Sequence, residues 1–131
     1  MAFRSFILLF IGCSFATAQV NWMTMDEALE AQKSNPKIII VDVYTTWCGP
    51  CKLLDKNTFG NPQVSAFINE NYYPVKFNAE GKELVNYNGN RFENPQYDPN
   101  RKGRNARHQF TAYLGIRGYP TPNTEIGSKL M

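Results

Sequence analysis

Apolar and polar residues along this chain follow two rhythms. Ile38-Ile39-Ile40-Val41-Asp42-Val43-Tyr44 is apolar except at Asp42 and mostly β-branched, which predicts a strand buried on both faces. Before it, Met25, Ala28 and Leu29 share one face at helical spacing. Thr24 and Glu27 form a capping box at the start of that helix, and Asn35-Pro36 stops it near Ser34. Residues 73–77 alternate, so Tyr73, Val75 and Phe77 face one side of a second strand and Lys76 the other. Between the strands, residues 51–59 read as helix. Asn61 and Pro62 then cap a further helix whose apolar face is Val64, Phe67 and Ile68. Tyr87-Asn88-Gly89-Asn90 is a two-residue hairpin signal, with arms over 84–87 and 91–93. A last helix is predicted over 106–114, capped by Asn105 and stopped by Gly115, with Phe110, Tyr113 and Leu114 inward.

Length and charge narrow the class. A chain of 131 residues is one domain with room for a core. The net charge of +3 is mild, and no stripe of basic and aromatic residues argues for nucleic acid. Residues 1–18 read as a secretory signal: Arg4, an apolar stretch over 6–15 too short to span a bilayer, then Ala16-Thr17-Ala18 with cleavage before Gln19. A second reading takes Phe10-Ile11-Gly12-Cys13 as a lipidation signal, which would tie the chain to a membrane through Cys13. With the signal removed, residues 19–131 form the domain and Cys48 and Cys51 are its only cysteines. An exported chain with one closely spaced pair has no disulfide framework, so the pair is there for chemistry.

That chemistry is concentrated in Trp47-Cys48-Gly49-Pro50-Cys51-Lys52. A strand delivers the two thiols to a helix start, where free N–H groups and the helix dipole favour a thiolate. Cys48 would titrate below the free-thiol value of about 8.5, and Cys51 lies near enough to attack a disulfide formed on it. Asp42 is either turned to a wet edge or a buried proton acceptor near Cys51, its pKa raised by desolvation. Lys76 is either an edge lysine at the surface or a partner inside. His108 reads as a surface histidine. With only two cysteines beside it, it cannot close a zinc site of four ligands.

These residues resemble the thioredoxin family. The six-residue cysteine motif, the Asp six positions before Cys48, Lys76 in the next strand and Arg117-Gly118-Tyr119-Pro120-Thr121 all match it. The resemblance covers residues 24–79 and 106–121. It implies an α/β thioredoxin-like fold, a central mixed sheet flanked by helices. It also implies that Cys48 and Cys51 are catalytic, that Asp42 assists deprotonation of Cys51, and that Lys76 faces Asp42. Trp47 would shield the pair. Tyr119, Pro120 and Thr121 would form a cis-proline loop that docks an extended client. Pro50 between the thiols resembles reducing members, so the implied activity is exported reduction of protein disulfides. Its partners would be disulfide-containing clients and an upstream thiol electron donor, with no cofactor and no metal.

The chain departs from the family in three places. No proline kinks the helix after Cys51; residues 54–64 look more like exported thioredoxin-like reductases, one being the periplasmic C-terminal domain of the transmembrane disulfide-reductant conductor. Residues 80–105 are an insertion, with Arg91, Arg101, Lys102, Arg104 and Arg107 clustered in or near it, and it either sets substrate choice or is a surface excursion. The tail over 122–131 is polar and lacks alternation. The C-terminal β-hairpin and last helix are therefore expected to be missing, leaving the edge of the Asp42 strand open. That expectation supports a rival reading, a truncated non-catalytic fragment or partner-binding module.

Overall fold

A computed structural model describes residues 19–123. The proposed signal, Cys13 and the tail beyond 123 lie outside the described residues. Helix α1, Met25–Ser34, begins on the expected box: the Thr24 hydroxyl accepts the Glu27 N–H and the Glu27 carboxylate accepts the Thr24 N–H. Strand β1, Ile38–Tyr44, pairs in parallel with β2, Tyr72–Asn78, in a register that sets Asp42 beside Lys76. Between them run α2, Gly49–Leu54, a π-helical turn, Asp55–Phe59, and α3, Pro62–Asn71. The hairpin strands β3, Val85–Tyr87, and β4, Asn90–Phe92, follow, then α4, Gln109–Tyr113, and β5, Thr121–Asn123. The main sheet has the order β2-β1-β5, and Met23 adds a parallel bridge to Val75 on its far side.

The pleat divides the work of β1. Ile39, Val41 and Val43 point to a core shared with Met25, Ala28, Val75, Phe77, Val85 and Phe110. Asp42 and Tyr44 point to the other face, toward Lys76. The mixed sheet with flanking helices is the α/β thioredoxin-like architecture expected. Among the described residues no helix is long and apolar enough to cross a membrane.

Several expectations change. The edge of β1 is not open: Thr121–Asn123 pairs antiparallel with Val41–Val43, so three polar-looking residues supply the strand that their lack of alternation concealed. The rest of the expected missing hairpin and helix lies outside the described residues. Helix α2 starts at Gly49 rather than Cys51, and its continuation widens into the π turn. That turn ends at Gly60, where a Cβ would come within 2.6 Å of the Lys56 carbonyl oxygen. In α3 it is Ser65 that is buried with Ile68, held by its hydroxyl to the Phe59 and Asn61 carbonyls, while Phe67 is exposed and leans on Tyr72. Helix α4 begins three residues later than expected, because the His108 side chain caps it in place of Asn105. Tyr113 is half exposed.

The segment 80–105 is partly core. Asn88 and Gly89 take positive φ values of 51° and 76°, the conformation that a two-residue hairpin needs. This turns Val85 and Tyr87 inward, while Asn86 is fixed to Asp26 on α1 through its backbone N–H and side-chain amide. Phe110 sits among Phe77, Tyr87, Phe92 and Tyr113, with ring centroids 5.4 to 6.2 Å away. Phe110→Ala should cost about 3–5 kcal/mol, read as a lower denaturant midpoint. A change below about 1 kcal/mol would mean that the hairpin is not part of the same core.

Candidate functional site

The end of β1 and the start of α2 place the two cysteines. Cys48 is the N-cap of α2: its backbone is extended and its sulfur accepts the Cys51 N–H at 3.2 Å. Pro50, whose fixed φ suits a first turn, holds that turn. Cys48 and Cys51 form a disulfide with a Cα–Cα separation of 5.4 Å, and both are nearly fully buried, at 3% and 2% exposure.

Trp47 immediately precedes the pair. Its ring meets Tyr119 edge-on at 6.0 Å, and the Tyr119–Pro120 peptide is cis. The Trp47 indole N–H donates to the Glu80 carboxylate at 2.8 Å, and the Arg104 guanidinium lies 4.4 Å from the ring centroid. Thr121 enters through its backbone, opposite Val43 in the sheet. Thus Trp47, Cys48, Pro50, Cys51, Tyr119, Pro120 and Thr121 are gathered at one end of β1.

Asp42 and Lys76 lie behind this end. Asp42 is 2% exposed, so the wet-edge reading fails, and the surface reading of Lys76 fails with it. The Lys76 ammonium donates to Asp42 Oδ2 at 2.6 Å and also to Asp55, which sits one helical turn after Cys51. The Asp55 N–H in turn donates to the Cys51 carbonyl. The rings of Trp22, Tyr44 and Phe59 surround the ammonium at 4.9 to 5.7 Å. An open cleft of about 410 Å³, lined by Gln19, Val20, Trp22, Phe59 and the Asp55–Lys76 pair, leads to it.

Burial pushes the Asp42 carboxyl above its ordinary value; the Lys76 hydrogen bond opposes this without cancelling it. Burial alone would lower Lys76, but its hydrogen bonds to Asp42 and Asp55 and their charges outweigh that and raise it. The directions are compatible because two carboxylates share one cation. Lys76 remains countered by Asp55 while burial favours the neutral form of Asp42.

The comparisons with known proteins agree with this geometry. The Thioredox_DsbH family, described as "Protein of unknown function, DUF255", matches residues 10–88, more than half of the chain. The chain belongs to this thioredoxin-like family. It is also similar to a thiol:disulfide interchange protein DsbD of Pseudomonas fluorescens, at 31% identity over 44% of this chain and 11% of the relative. It is similar to a chloroplastic thioredoxin F of Oryza sativa, at 44% identity over 29% of this chain and 21% of the relative. A thioredoxin of Echinococcus granulosus is 40% identical over 34% of this chain and 36% of the relative. The chain spans between about a tenth and a third of the length of these relatives.

Two residues of this Thioredox_DsbH member were misread or missed in the sequence. His108 is fully buried rather than at the surface. Its Nδ1 accepts the Phe110 N–H, so Nε2 carries the proton and donates to the Glu83 carbonyl at 2.6 Å. Burial lowers its pKa first of all, and with both nitrogens engaged it is no metal ligand. Asp55 was not singled out. Its place four residues beyond Cys51, on the helical turn facing β2, was the available signal.

Asp42 makes stability pH-dependent. The folded state holds its proton to higher pH than the unfolded state, so stability falls as pH rises from the ordinary carboxylate value through the raised one. The Asp42→Asn variant, with Lys76 still paired to Asp55, should lose that part of the slope. In urea unfolding of the oxidised chain it should gain on wild type as pH rises from about 4, where an ordinary carboxyl titrates, through the raised value. A difference that stays constant across that rise would place the charge outside the core.

Proposed function

We propose that this chain is an exported thiol–disulfide oxidoreductase that reduces protein disulfides through Cys48 and Cys51. The observation that carries the reading is the Cys48 sulfur as the helix cap, accepting the Cys51 N–H while bonded to Cys51 itself. A cap that accepts N–H donors stabilises sulfur more when it is anionic. In the reduced chain the Cys48 thiolate would attack one sulfur of a client disulfide, forming a mixed disulfide and releasing one client thiolate. Cys51 would then attack the Cys48 sulfur, releasing the second client thiol and restoring the Cys48–Cys51 bond. Two electrons pass to the client, its two sulfurs take up the proton released by Cys51 and one from solvent, and a thiol donor must return the chain to the dithiol.

Asp42 would take the Cys51 proton; its raised pKa suits a group that must both accept and release one. Lys76 and Asp55 would hold that carboxyl in place. Trp47 and the Tyr119-Pro120-Thr121 loop would form the wall along which an extended client segment lies. Pro50 between the thiols supports reduction over oxidation by its likeness to reducing thioredoxins. The similarity to DsbD, named as a thiol:disulfide interchange protein, supports an upstream thiol donor as a partner.

A Cys51→Ser chain should accumulate client adducts on Cys48 that reductant releases, seen as shifted bands on non-reducing gels. The Cys48→Ser chain should form none and reduce insulin only at the uncatalysed rate. Adducts in neither variant would refute the exchange. Export rests on the apolar stretch over 6–15 and Ala16-Thr17-Ala18. Intact mass of the chain recovered from an exporting host should then fit a start at Gln19, and an uncleaved mass would refute this.

A further inference from the structure

The segment 80–105 is built into the wall of the cysteine site. Glu80 Oε2 accepts two N–H groups, the Trp47 indole and the Asn105 backbone, each at 2.8 Å. One carboxylate oxygen therefore joins the residue before Cys48 to the far end of the segment. Arg104, the neighbour of Asn105, lays its guanidinium over the Trp47 ring. The segment's ends are fastened by the buried Asn94, whose amide donates to the carbonyls of Gly81 at 3.0 Å and Ala106 at 2.7 Å. Asn105 closes the inner loop through its side chain, accepting the Asp98 N–H at 3.0 Å and donating to the Asp98 carbonyl at 2.7 Å. Arg104 is thus carried on an ordered loop rather than a free excursion.

The charge displayed there is one-sided. Arg101, Lys102 and Arg104 are exposed, and among the described residues none of them is in a salt bridge. Arg117, also exposed and in no salt bridge among the described residues, precedes Tyr119 by two positions, and the Tyr119 ring meets Trp47 edge-on. Glu80 and Asp98 of this segment are turned to structural use. Glu80 holds Trp47 and Asn105, and Asp98 Oδ1 accepts the Asn100 N–H at 2.9 Å. Arg104 is thus set against the residue before Cys48, with Arg101 and Lys102 in the same loop and Arg117 two positions before Tyr119.

We propose that the 98–105 loop, chiefly through Arg104 stacked on Trp47, selects polypeptide clients that carry acidic side chains next to the disulfide. This rests on the disulfide-exchange reading of Cys48 and Cys51 and assigns the substrate class of that same site. Arg104 touches the client and not the reacting sulfurs, so its part is selection. A guanidinium held over an indole keeps N–H groups free to pair with a carboxylate.

The test uses the full chain with a dithiol reductant and three peptides that share one disulfide loop. They differ only in the residues beside the cysteines, which are Glu, Gln or Lys. With wild type, kcat/KM for the Glu peptide should exceed that for the Lys peptide by about fivefold or more, a size set by exposed charge pairs, and the ratio should shrink as salt is raised. Arg104→Gln should reduce the ratio, and Arg104→Lys, which keeps the charge and loses the planar fork, should fall between Gln and wild type. A second variant, Arg101→Gln with Lys102→Gln, should reduce it while leaving the Trp47 stacking partner in place. Equal rates for the three peptides in wild type, or a ratio untouched in both variants, would overturn the proposal while leaving the exchange reading intact. Turnover of none of the peptides would overturn the exchange reading and this proposal together.

Discussion

The in-register pairing of β1 with β2 is the constraint on which the rest depends. Parallel neighbours at the same level point to the same face, so pairing Asp42 with Lys76 puts a carboxylate and an ammonium side by side behind the cysteines. A slip of one residue would turn Lys76 into the core and Phe77 out of it. The buried charges thus oppose a one-residue slip, because it would leave an ionised group unpaired among Val41, Val43 and Val75. The same register fixes where β1 ends, and so where Cys48 meets the start of α2. The π turn then brings Asp55 to the second side of Lys76, tying the helix that carries Cys51 to the sheet.

The second organising feature is the way polar side chains replace regular structure between β2 and α4. The Asn94 and His108 side chains each satisfy two backbone groups, and that of Asn105 three, in a region with little repeating secondary structure. Buried backbone groups in an irregular stretch need such partners. His108 shows the principle in one ring: one nitrogen accepts the Phe110 N–H that starts α4 and the other donates to the Glu83 carbonyl ahead of β3. Its neutral form is required by the donor and acceptor roles themselves, and burial among Phe77 and its neighbours favours the same form.

Much of the fold was legible in the sequence. The capping box of α1, the buried strand β1, the Asn61-Pro62 start of α3, the hairpin turn at Asn88-Gly89 and the stop at Gly115 depend on local chemistry, and each lies where its residues put it. The cysteine pair was legible for the same reason. What was misjudged depended on tertiary partners. Ser65 was passed over for Phe67 because a hydroxyl that returns to its own helix can be buried cheaply. His108 was read as exposed because nothing local shows that Glu83 and Phe110 would serve both ring nitrogens. The strand at Thr121–Asn123 has no alternation to display over three residues, and only the waiting edge of β1 defines it. The choice between edge and interior for Asp42 and Lys76 could not be made from either strand alone, since each is the reason the other is tolerated.

The spacing of the two sulfurs has a consequence for the molecule as a whole. Their bond spans only Gly49 and Pro50, so it restrains almost none of the disordered chain, and little conformational entropy is at stake when it opens. The architecture is carried instead by the aromatic cluster around Phe110 and by amide bridges such as Asn94. Opening the bond would therefore leave these restraints in place, and the fold acts on the redox couple instead through the groups it sets against the sulfurs, such as the Cys51 N–H.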